Sequence, residues 1–174
     1  MKYRITLLLC LLSCVTGLVL SPVTSLAAPP TVIPSATGVG PSSEQQLFLE
    51  MKAAAKPFQA EMRLNKQTLE QLQQTLTSEV AALRVRIEGL QEISVTKAES
   101  TQLSSHLATL KELTTKIQDN AGILGQEMTL LRGFTEDLDL DGMILSYEDA
   151  IEVQNQRIEM VTDALDLVRE IAAP

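Results

Sequence analysis

The sequence predicts an all-α chain, either a long-helix hairpin or a three-helix up-down-up bundle with coiled-coil-like packing, preceded by a disordered leader. Three observations carry this. Leu103, Leu110, Ile117, Leu124 and Leu131 fall seven residues apart, and Leu107, Thr114, Ala121 and Met128 follow the first four of them by four. Leu69, Leu72, Leu76, Val80, Leu83, Ile87 and Leu90 step by three or four. Ile151, Ile158, Val161, Leu165, Val168 and Ala172 form a third seam, with Gln154 its polar exception. A helix with so narrow an apolar side buries it only against other helices.

The 174 residues suffice for one domain. Residues 1–27 have the pattern of a secretory signal peptide. Lys2 and Arg4 precede an uncharged apolar run from Ile5 to Leu20, and Ser25-Leu26-Ala27 supplies the small residues of a cleavage site before Ala28. The run is short for a membrane span, so membrane attachment is expected only if this segment is retained or lipidated. Leu11-Leu12-Ser13-Cys14 loosely resembles a bacterial lipobox. Export to the periplasm or the extracellular space is the expectation. Both cysteines, Cys10 and Cys14, lie in this segment, which leaves the mature part without thiols.

Residues 28–43 are Pro-, Gly-, Ser- and Thr-rich and uncharged, as in a flexible leader. From Glu44 the pattern is helical, and residues 44–174 are predicted to form the folded domain. Leu47, Met51, Ala54 and Phe58 align at helical spacing, and Pro57 ends or kinks this first piece because it lacks an N–H. The main helices are predicted at about 58–92, 98–132 and 146–172. Within the first, the four-residue step from Leu76 to Val80 is a stutter, which locally relaxes a supercoil. Ile93-Ser94-Val95-Thr96 is β-branched, and Thr96 and Glu99 have capping-box spacing, so a turn is placed near 93–97. Gly122 and Gly125 fall inside the second helix, but the heptad phase runs through them. Gly133 to Leu145 is read as the next connection. The third helix adds Val153, Met160, Ala164, Leu167 and Ile171 beside its seam, a face broad enough to meet two helices.

Charge is unevenly placed. Residues 28–132 hold 11 acids and 10 bases, whereas residues 133–174 hold 11 acids and 2 bases, Arg157 and Arg169. An acidic last quarter disfavours nucleic acid and anionic lipid as partners and is compatible with cations or a basic protein surface. Reactive groups are few. His106 is the sole histidine, too little for a histidine-rich metal site, and no glycine-flanked serine offers a nucleophile elbow. No catalytic residue, organic cofactor or small-molecule substrate is expected. The expected partners are other proteins, or further copies of this chain through its helices.

One stretch departs from this plainness. Asp137 to Glu148, DLDLDGMILSYE, has acids at its first, third, fifth and twelfth positions and glycine at its sixth. It resembles the EF-hand calcium loop over these twelve residues. The resemblance implies Ca2+ held by Asp137, Asp139, Asp141, the Met143 carbonyl and Glu148, with Gly142 at the sharp turn. Leu140 and Leu145 depart from the pattern, as does Asp149 after the last ligand, and no second loop is visible. The resulting expectation is a non-enzymatic exported helical protein that works through contacts or self-assembly. Its alternative is a calcium-responsive binding module.

Overall fold

The computed structural model describes residues 42–89 and 97–172, the side chains of residues 86–100 and of Leu103 apart. The expected signal peptide, leader residues 28–41 and all of the expected turn near 93–97 except Lys97 lie outside the described residues. The described chain is all helical: α1 (Ser43–Gly89), α2 (Lys97–Glu136) and α3 (Leu140–Ala172). None of the three is long and apolar enough to cross a membrane.

α1 opens with a reciprocal cap. The Ser42 hydroxyl accepts from the Gln45 N–H at 3.3 Å, and the Gln45 side-chain oxygen accepts from the Ser42 N–H at 2.9 Å. Two donors that the first turn leaves orphaned are thereby satisfied. Pro57 does not end this helix. A proline kept in a helix interior costs about 3 kcal/mol. Pro57 and Ala53, whose carbonyl would have taken the missing bond, are both exposed, so water can serve that carbonyl. Met51, Ala55 and Met62 on either side are buried, and their burial holds the helix through the proline.

The chain divides into two compact units, each drawing on all three helices. The first holds, among the described residues, 67–89, 97–121 and 156–172. Its core is Leu69, Leu76, Val80 and Leu83 of α1, Leu110 and Ile117 of α2, and Val161, Ala164, Leu165 and Val168 of α3. The 76–80 step is buried on both sides of the stutter. Thr114 sits buried on the α2 seam because its hydroxyl donates to the Leu110 carbonyl at 2.8 Å. At the rim, Arg169 Nε lies 3.5 Å from Glu79 and His106 Nε2 lies 3.7 Å from Glu170.

The second unit holds residues 42–66 and 122–155 among those described. Its core is Met51, Ala55 and Met62, Leu124 and Leu131, and Met143, Tyr147, Ala150, Ile151 and Val153. Tyr147 stacks on Phe58 with centroids 5.5 Å apart, and its hydroxyl accepts from Gln59 Nε2 at 2.9 Å. Asn65 Nδ2 donates to Asn155 Oδ1 at 2.9 Å. Later residues of α1 thus meet later residues of α3, so the two run parallel, with α2 turned back between them in the chain. This is the up-down-up order expected of three helices with short connections.

The predicted boundaries of the last connection need correction. α2 runs four residues past Arg132, to Glu136, and α3 begins at Leu140 rather than Ser146. The expected thirteen-residue connection is three residues long, 137–139. α2 continues unbroken through Gly122 and Gly125, as the heptad phase indicated.

Candidate functional site

The acidic stretch 137–148 folds as a tight helix–helix joint. At the end of α2 the Asp139 N–H donates to the Phe134 carbonyl and the Asp137 N–H to the Gly133 carbonyl, both at 2.9 Å. Leu138 between them takes a left-handed φ of 57°. This is a Schellman-type end, formed with leucine where glycine is usual. Leu138 is held there because its side chain packs against the core of the second unit.

Asp139 then caps α3. Its Oδ1 accepts from the Gly142 N–H at 3.0 Å, and its carbonyl accepts from the Met143 N–H at 3.0 Å. That is the geometry of an N-cap aspartate. Gly142 is required for another reason than a loop turn. A Cβ added there would stand 2.5 Å from Phe134 Cδ1 and 2.7 Å from Asp139 Oδ2. The glycine lets the Phe134 ring lie against the first turn of α3.

The residues expected to hold calcium are therefore not gathered. Asp137 lies in the joint, Asp139 caps the helix, and Asp141 and Glu148 lie on α3, all four exposed. Met143 is within α3, where its carbonyl is directed along the helix to the fourth residue on, and its side chain is in the core. Among the described residues no group of three or more His, Cys, Asp or Glu is placed to hold a metal ion.

Two buried polar residues lie on the inner side of α3, Gln154, which the sequence marks as an exception in its seam, and Arg157, which it does not. Met143, Ala150, Arg157 and Ala164 are spaced by seven, as are Tyr147, Gln154, Val161 and Val168, and all eight are buried. Of these, the third seam read from the sequence includes Val161 and Val168 with Gln154 as its polar exception, and the stripe beside it includes Ala164, but Arg157 is in neither. Arg157 is 2% exposed. Burial pushes its guanidinium pKa down. Among the described residues its buried Nε and Nη2 find no hydrogen-bond acceptor, and buried Gln154 Oε1 finds no donor. The signal that could have found Arg157 was present, namely the seven-residue repeat Met143, Ala150, Arg157 and Ala164.

On its outer side α2 carries two exposed apolar residues within the second unit, with Gln126 and Glu127 between them on the same face. Ile123 and Leu130, one heptad apart, are 46% and 50% exposed. A Cβ added to nearby Gly122 or Gly133 would meet nothing within 4 Å. No protein-family model, curated protein or solved structure matches this chain.

Proposed function

We propose that this chain is an exported, non-catalytic helical scaffold that associates with further copies of itself through the outer face of α2. The observation that carries the reading is the exposed pair Ile123 and Leu130 on a helix whose inner seam is already buried. Two large apolar side chains a heptad apart, with Gln126 and Glu127 between them and glycines to either side, form the narrow stripe that a second helix covers. Gly122 and Gly133 add no side chain that would hold that helix away. The signal-like residues 1–27 support export, and the sparse set of reactive side chains supports a role in contact rather than chemistry.

Sedimentation of the purified chain over a wide concentration range tests this. The expected result is a mass that rises with concentration, and one that stays monomeric in the Ile123→Glu, Leu130→Glu double variant at unchanged helicity. A parent chain that is monomeric throughout would end the self-association reading.

A further inference from the structure

We propose that the outward face of α1 between Leu49 and Leu64 is a second self-contact, which pairs in parallel and in register with the same face of another copy. It stands on observations separate from those of the α2 contact. Leu49 and Leu64 are 59% and 61% exposed. Ala53, Pro57 and Ala60 between them are exposed as well. At helical spacing these five residues fall within about 80° of arc and about 22 Å of length. Met51, Ala55 and Met62, on the opposite side of the helix, are buried in the core of the second unit, so the stripe faces away from that core.

The charged residues select the occupant. Between residues 45 and 65, Lys52, Lys56 and Arg63 follow one edge of the stripe and Glu50 and Glu61 the other, all of them exposed. An anionic or a cationic surface matches one edge and repels the other. A second copy matches both. In a parallel pair the two-fold axis runs along the helices, and each basic edge meets the acidic edge of the other copy. Lys56 then lies beside Glu61 of the second copy, the five-residue offset of charge pairs that flank a parallel seam. An antiparallel pair sets base against base and acid against acid, which opposes it.

The contact is small and its charge pairs are screened by salt, so it forms at low ionic strength and is lost at about 0.5 M salt. The α2 stripe has no opposite charges to pair. Its sedimentation is read at the higher salt, where the α1 contact is absent.

Disulfide trapping at low salt tests the pairing in the full chain carrying Cys10→Ser and Cys14→Ser, which leaves an introduced cysteine alone. Ala53→Cys and Ala60→Cys are each expected to give a disulfide-linked dimer under mild oxidation, because a parallel pair in register sets each position against itself. No single antiparallel register does this at two positions seven residues apart. Trapping should fall about tenfold when the basic edge is reversed (Lys52→Glu, Lys56→Glu, Arg63→Glu), and equally when the acidic edge is reversed (Glu50→Lys, Glu61→Lys). Mixing these two charge variants should restore it as a mixed disulfide, at unchanged helicity throughout.

Failure of either cysteine to trap overturns the proposal. So does a disulfide formed only between Ala53→Cys and Ala60→Cys chains, which is the antiparallel arrangement, and so does trapping that survives both charge reversals. Ile123→Glu with Leu130→Glu should leave the trapping as it is. Loss there overturns α1 as a contact in its own right, since its faces would then meet only through α2.

Discussion

At the residue scale, the joint between α2 and α3 rests on three side chains with separate tasks. Leu138 occupies the left-handed position, Asp139 supplies the cap, and Gly142 leaves room for the Phe134 ring. Gly142→Ala is expected to destabilise by about 1–3 kcal/mol, because a rigid ring at 2.5 Å must be displaced. A second change, Asp139→Ala, removes only the cap and should cost about 1 kcal/mol. Both are read from chemical denaturation, and equal losses would mean the ring contact is less tight than its distances state. The glycine was legible in the sequence, but for a mistaken reason, since Asp141-Gly142 has the composition of a turn. What decides its role is Phe134, eight residues earlier, and that contact has no local signature. A contrasting case is Glu112, whose pKa is lowered by its hydrogen bond to and the charge of Lys116, 2.8 Å away. A depressed carboxylate pKa contributes stability above its unfolded value and loses it as pH falls through the folded one. This carboxylate is fully exposed, so Glu112→Gln should leave the melting midpoint at neutral pH unchanged within error.

At the scale of elements, periodicity was the reliable signal and polar spacing the misleading one. The α2 seam at Leu110, Ile117, Leu124 and Leu131 is buried as its repeat indicated, and the stutter in α1 lies where the four-residue step places it. Pro57 failed as a stop because a proline ends a helix only when burial on either side is too weak to carry it through. The acidic stretch failed as a loop for a related reason. Leu140, Met143, Ile144 and Tyr147 step by three or four and pack into or against one core, and this apolar face draws the chain into helix from Leu140 onward. The twelve-residue pattern of acids then falls on a joint and two helical turns, and among the described residues it makes no group of three placed to hold a metal ion. The expected outcome is that millimolar calcium leaves the melting midpoint of the parent unchanged, and that Asp137→Ala and Glu148→Gln behave as the parent does with or without it. A calcium-dependent rise abolished by either substitution would require the first turns of α3 to unwind around the ion.

At the scale of the whole molecule, the sequence carries one continuous heptad habit, whereas the core is held as two clusters. Between consecutive core residues of α3, Val153 and Val161, the seam places Gln154 and Arg157. Buried polar groups of this kind contribute little net stability and restrict which apolar layers can form around them. Gln154 was legible as a polar exception, but Ile151 and Ile158 concealed Arg157, because they offer a second repeat one residue away that is apolar throughout. The two clusters share no residue, and this has a measurable consequence. Leu76→Ala in one and Met143→Ala in the other should each cost about 2–5 kcal/mol, since both side chains are fully or nearly fully buried. If the clusters are energetically separate, the double variant should lose the sum of the two to within about 0.5 kcal/mol. Denaturant unfolding of the parent, both single variants and the double variant closes that cycle. A coupling well above this value would show that removing one core loosens the other along the helices they share. The polar interruption would then be a feature inside one cooperative core rather than the boundary of two.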